Sequence, residues 1–143
     1  MKWMNKTVAL LVAVCLAGCA EPTDTELLTG KWELERATES VTVGSAPTVT
    51  TELTGYAGQT MELADDGICR RTDRGESRYS LWFVSDERHL IFTEMDHSEV
   101  IEDYSINDLT NERLVCSDAY SSSDSQSGER TLYAYSFEYR KCD

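Results

Sequence analysis

Tyr133-Ala134-Tyr135-Ser136-Phe137-Glu138-Tyr139 alternates a large aromatic ring with a small or polar side chain along its whole length. A period of two puts Tyr133, Tyr135, Phe137 and Tyr139 on one face of an extended strand, with Ala134, Ser136, Glu138 and Arg140 on the other. Burying rings of roughly 150–250 Å² each on one side supplies much of the stability of a small β domain. The chain upstream repeats the pattern. Trp32 and Leu34 alternate with charged residues over 31–37, and further short alternating runs occupy 59–63, 68–74, 78–84, 89–94, 99–107 and 113–120, with the last strand at 129–141. Tight turns separate them. Ala64-Asp65-Asp66-Gly67 has aspartates to cap the turn and a glycine for positive φ, and Gly75-Glu76 is similar. No amphipathic helical period competes. The expectation is an all-β, antiparallel up-and-down barrel of about eight strands, with seven or nine as variants. Residues 38–58, rich in Thr, Ser and Val, read as a long excursion with a short strand at 41–43 or 48–53. Residues 121–128 read as a flexible polar hairpin loop. The run 78–84 is apolar on both faces, and its outside is expected to be covered by the excursion or by the N-terminal segment, a partner surface being the alternative.

The N-terminus has a different character. Lys2 and Lys6 precede an apolar run over 7–17 that is short for a membrane span, the layout of a secretory signal. The run ends in Leu16-Ala17-Gly18-Cys19, which resembles a bacterial lipobox. That resemblance implies a lipoprotein signal peptide at 1–18, a lipidated Cys19, and a lipid-anchored tether at 19–29 ahead of the barrel domain at 30–143. An ordinary cleavage site beside an incidental cysteine is the alternative. Ala20 does not signal inner-membrane retention as aspartate would, so the expected address is the outer membrane of a Gram-negative cell envelope, in either leaflet.

Composition narrows the partners. With 13 basic and 26 acidic residues the chain carries a formal charge of −13, and losing Lys2 and Lys6 makes the mature chain more acidic still. Nucleic acid and anionic membrane surfaces are disfavoured by that field; the expected membrane contact is through the N-terminal lipid, and the domain is expected to be a monomer. Beyond Cys15 and Cys19, the remaining cysteines are Cys69, Cys116 and Cys142. An exported compartment permits disulfides. Up-and-down alternation brings Cys69 and Cys142 to the same end of a barrel and leaves Cys116 mid-strand, so a Cys69–Cys142 bridge is expected, worth roughly 2–4 kcal/mol. His89 and His97 are isolated and no Cys-x-x-Cys is present, which argues against a metal site.

The segment Leu28-Thr29-Gly30-Lys31-Trp32-Glu33-Leu34 resembles the Gly-x-Trp opening strand of lipocalins. The order of Asp65-Asp66-Gly67, Tyr79-Ser80-Leu81-Trp82, His89-Leu90-Ile91-Phe92, Tyr104-Ser105-Ile106-Asn107-Asp108-Leu109-Thr110 and Leu114-Val115-Cys116 is similar to the lipocalin-like lipoproteins of Gram-negative bacteria, especially Bacteroidetes. The resemblance implies a barrel with a cavity for a small apolar molecule and a floor closed by Trp32. It also implies an arginine from the last strand over that ring, for which Arg140 is the nearest match. Arg140 falls opposite the aromatic face, so this contact requires a bulge or twist near the strand end.

No nucleophile elbow, phosphate-binding glycine loop or metalloprotease motif is present, so neither an enzyme nor a cofactor is expected. Asp65 and Asp66 fit turn capping better than acid–base chemistry. Arg70, Arg71, Arg74 and Arg78 form a basic concentration in an acidic chain; they read either as a solvated face paired with Asp73 and Glu76 or as a receptor for a carboxylate or phosphate. Two functions stand. One is a lipid-anchored barrel binding a small apolar or amphipathic ligand, its apolar part on Tyr135 and Phe137 and an anionic group toward Arg74 or Arg78. The other is an envelope interaction module, or an inhibitor of a secreted enzyme, with a filled barrel. The anchor is separately testable: Cys19→Ser moves the protein from the detergent-extracted membrane fraction to the soluble fraction, and retention in membranes defeats the lipobox assignment.

Overall fold

The computed structural model describes residues 20–142; the expected signal peptide at 1–18 and the expected lipidation site Cys19 lie outside the described residues. A short helix, α1 (Asp24–Leu28), precedes nine strands. These are β1 (Gly30–Val43), β2 (Val49–Glu52), β3 (Thr60–Leu63), β4 (Ile68–Asp73), β5 (Glu76–Val84), β6 (His89–Thr93), β7 (Val100–Leu109), β8 (Arg113–Ser123) and β9 (Arg130–Cys142). Every pairing is antiparallel. β3 to β9 follow in sequence order, β1 closes the ring by pairing with both β3 and β9, and β2 is an extra strand on β1. The result is a closed eight-stranded antiparallel barrel with one added strand.

β1 sets the geometry. Along one edge it pairs with β9 from Lys31↔Cys142 to Val43↔Thr131. Its other edge is divided: residues 30–33 pair with β3, and residues 38–41 pair with β2. The barrel therefore closes only in its lower part. Above it, β2 and the upper halves of β1, β9 and β8 continue as a flap. Part of the expected excursion is thus strand, with both 41–43 and 49–52 extended. The register shifts between Leu34 and Arg36, a β-bulge at Glu35. The bulge keeps Trp32 and Leu34 inside, brings Ala37 inside after them, and turns Arg36 out to Glu52 at 2.7 Å. An unbroken period of two would have driven the Arg36 guanidinium into the core.

The floor is a helix end. The Thr23 hydroxyl accepts from the Glu26 amide and the Glu26 carboxylate accepts from the Thr23 amide, a capping box that starts α1. The far end of α1 is buried: Leu28 is fully covered, and its carbonyl accepts from the Trp32 indole nitrogen at 2.7 Å. The Leu27 carbonyl accepts from Lys141 Nζ at 2.9 Å. These bonds satisfy carbonyls that a helix terminus otherwise leaves bare. Arg88 pairs with Asp24 at 2.9 Å and ties α1 to the β5–β6 turn. The segment expected to act wholly as a tether thus ends in a plug, because Leu27-Leu28 gains more by covering the barrel than by standing in water.

The cation over Trp32 is Lys141, with Nζ 5.2 Å from the ring centroid. Arg140, expected there, sits on the outer face beside Glu33 and Glu35 at 3.3 and 3.0 Å. The bulge that would have admitted it lies in β1 and not in β9, so the parity of β9 is unbroken and residue 141 points inward. Gly30 belongs to the same device. Its φ is 136°, and a Cβ there would lie 2.7 Å from Lys141 Cε. Above the floor the interior is solid, packed with Met61, Leu63, Cys69, Trp82, Leu90, Phe92, Ile106, Leu114 and Cys116. The outside of β5 stays open, with Tyr79 57% and Phe83 48% exposed, so neither excursion nor tether covers it. Residues 124–128 form a tight turn in which Asp124 Oδ1 accepts from the amides of Gln126 and Ser127.

Lys141→Met should lower unfolding stability by about 1–2 kcal/mol, the scale of a charge-assisted hydrogen bond, while Arg140→Met should cost less than about 1 kcal/mol as a surface pair. Urea titrations of both variants measure this; equal losses would contradict the assignment of the floor cation.

Candidate functional site

The barrel core ends upward in an ionic layer. On β4 the inward positions are Cys69 and Arg71, and on β7 they are Glu102, Tyr104 and Ile106. Arg71 Nη1 meets Glu102 Oε1 at 2.5 Å, and Tyr104 donates to Glu102 Oε2. The Arg71 guanidinium lies 4.3 Å from the Phe92 ring centroid, a cation–π contact above the apolar core. Tyr104 sits edge-on between Phe92 and Phe137, at 6.2 and 5.5 Å. Burial works against charge on Arg71, but the Glu102 carboxylate, with smaller contributions from the phenols of Tyr139 and Tyr104, holds its pKa above the ordinary arginine value. Burial, and then Glu102, push the Tyr104 phenol upward, so it remains a donor.

Above this layer is a solvent-open cavity of about 630 Å³. Arg71 and Glu102 form its base. Arg78, Asp73, Glu76 and Glu94 supply further charge, and Tyr56, Tyr79 and Ile101 are the apolar contributors. Among the described residues Arg78 makes no ion pair, whereas Arg70 is engaged by Glu62 on the outer face at 2.9 Å. The sequence-expected ligand residues separate. Arg78 lines the cavity. Arg74 occupies the β4–β5 turn with φ 52° and a largely exposed side chain 4.0 Å from Asp73. Phe137 packs on the core beneath, against Tyr104. Tyr135 lies on the flap and donates to Glu39 at 2.6 Å. Neither aromatic lines the cavity, because the solid core separates β9 from the mouth formed by β4, β5 and β7.

Among the described residues the cysteines, Cys69, Cys116 and Cys142, are free. Cys69 and Cys142 do lie at the same end, but Cys69 faces the core, between Leu63 and Ser80 in the sheet. Cys142 follows the inward Lys141, so its side chain is outside, 4.0 Å from Glu33. A bridge would have to cross the barrel wall. Burial pushes the Cys116 thiol up to about 12, and raises that of Cys69. Among the described residues no group of three or more His, Cys, Asp or Glu side chains converges on a metal position.

Glu102, Tyr104 and Lys141 are not singled out by the sequence, and Arg71 is singled out there only as one of four clustered arginines, without its inward position. Arg71 was legible in principle, being two residues from an apolar Cys69. No family model, curated protein or solved structure matches the chain, so its functional reading starts from this geometry. In the native protein at pH 8, a thiol reagent should modify Cys142 while Cys69 and Cys116 react only after denaturation; peptide mapping checks this, and native labelling of Cys69 or its recovery linked to Cys142 would contradict the arrangement.

Proposed function

We propose that the protein is a lipid-anchored, lipocalin-like binding barrel of the Gram-negative cell envelope that takes a small amphipathic molecule at its mouth. The supporting observation is the open cavity with a charged base and an Arg78 that makes no ion pair among the described residues. The packed interior leaves no room for an apolar tail to descend, so the ligand is oriented polar end down. An anionic group meets Arg78, a cationic one meets Glu76 or Glu94, and the apolar part covers Tyr56 and Ile101 at the rim. A zwitterionic head group fits this mixed charge better than a bare anion, since four carboxylates and two guanidinium groups face the cavity. The lipid on Cys19 holds the barrel at the membrane. The solid interior also favours a second reading, an envelope interaction module or enzyme inhibitor without a small ligand.

Titration with a fluorescent zwitterionic lysolipid should show saturable binding. Arg78→Ala should weaken it about 10-fold, the equivalent of roughly 1.4 kcal/mol, while Phe137→Trp leaves it unchanged. No saturable binding, together with no co-purifying small molecule in native mass spectrometry, would favour the interaction module.

A further inference from the structure

The barrel wall has an open seam between β7 and β8. Their ladder ends at Ser105↔Ser117. Above that point residues 100–104 of β7 pair only with β6, and residues 118–123 of β8 only with β9. The bonds Lys141 N–H to Glu112 C=O and Asp124 N–H to Glu129 C=O fix the phase of the β8–β9 ladder, in which even-numbered β8 residues bond to β9. The backbone groups of Ala119, Ser121 and Ser123 therefore point into the seam, away from β9. Ala119 N–H is taken by the Asp118 carboxylate at 2.8 Å; the amides of Ser121 and Ser123 have no ladder partner.

The side chains beside this edge have one chemistry. In register across the flap lie Glu39, Tyr135 and Asp118, then Val41, Tyr133 and Tyr120. Tyr120 stacks on Tyr133 at 4.9 Å and lies 6.1 Å from Tyr135, each nearly parallel. Tyr120 is 51% exposed, and Val49, opposite Val41 on β2, is 64% exposed. This face holds aromatic and aliphatic groups with two carboxylates. The basic residues of the flap, Arg36 and Arg130, bond to Glu52 and Ser121 on the outer side.

We propose that an extended basic segment of a partner protein adds as a strand to the β8 edge at Asp118–Ser123. Backbone bonds to Ser121 and Ser123 give affinity, and alternate side chains give specificity. A lysine or arginine falls beside Asp118 and Glu39, and two residues on an apolar or guanidinium side chain falls on Tyr120. Charge selects the occupant. A second copy carries the same net charge of −13, so its approach is opposed by like charge, and an inward charge such as Asp118 on a free edge is a known guard against self-pairing. The site is separate from the mouth cavity, so it stands whether or not a small ligand binds there.

The test uses the purified full chain and a labelled hexapeptide, Lys-Thr-Tyr-Thr-Lys-Thr, with a Glu-for-Lys version as comparison, followed by fluorescence anisotropy. The lysine peptide should bind saturably and at least 10-fold more tightly than the glutamate peptide, and Asp118→Lys should reverse that order. Ser121→Pro removes a seam donor and leaves the backbone β9 ladder intact, losing besides only the exposed Arg130–Ser121 side-chain bond, which Ser121→Ala removes alone as a control. The proline variant should weaken binding at least 10-fold with the circular dichroism unchanged, and the alanine variant should not weaken it. Should the proline variant misfold, a peptide N-methylated along one edge makes the same test on the native chain. Equal binding of both peptides, indifference to edge blocking, absence of saturable binding, or a dimer in sedimentation that Ser121→Pro abolishes would each overturn the proposal.

Discussion

The pairing of β1 with β9 is the constraint on which the rest depends. It joins the two ends of the domain, and it uses the whole of one β1 edge from Lys31 to Val43. The other edge is shared by a four-residue contact with β3 and a four-residue contact with β2. A strand so divided cannot close a barrel over its full height. The lower part closes and buries a core; the upper part opens into a flap whose faces both meet water. Cavity and seam are consequences of that division, since each lies where the ring of strands stops being continuous.

The bulge at Glu35 makes this long pairing compatible with the sequence. Below it the inward residues of β1 are even-numbered, and above it they are odd-numbered, with Ala37 buried. Ala37 lies opposite Phe137 in the register, a small residue against a large one. Deleting the bulge would place Arg36 in the core, at the desolvation cost of an unpaired charge. The same parity argument explains the floor. Lys141 is inward because β9 has no bulge of its own, and the missing side chain at Gly30 leaves room for its stem.

The class of fold was readable because period-two alternation and Asp-Gly turns are local signals. Tyr133 to Tyr139 and the Ala64–Gly67 turn needed no tertiary information, and Asp66 does cap its turn by accepting from the Ile68 amide at 3.0 Å. What was not readable depended on distant strands. A bulge is defined by the partner's register, so the face of Arg140 and Lys141 could not be fixed from residues 130–142 alone. Cys69 and Cys142 were matched by height, but their faces decide bonding, and those follow from the wall between them. The four arginines of 70–78 looked like one feature; the pleat sends Arg70 outward to Glu62 and Arg71 inward to Glu102. Residues 24–28 lacked a helical period because one capped turn is too short to show one.

The ionic layer explains why the interior space lies at the mouth and not in the middle. A buried guanidinium is tolerated only with a carboxylate to accept from it, and Glu102, itself held by the Tyr104 hydroxyl, supplies that acceptor from a strand on the opposite side of the β4–β5–β6 wall, while Arg71 Nε has no hydrogen-bond partner among the described residues. Phe92 beneath offers a ring face, which accepts the cation without demanding a hydrogen bond. Between this pair and the Lys141 ammonium at the floor the inward side chains are apolar or neutral, so the core can collapse to close packing. Above it the facing residues are charged and keep their water, and packing stops. The position of Arg71 in β4 therefore sets the depth to which any ligand can enter. A molecule with its polar end toward this layer keeps the pair solvated by its own groups, whereas an apolar chain driven onto it would strip water from Glu102 and gain no bond in return.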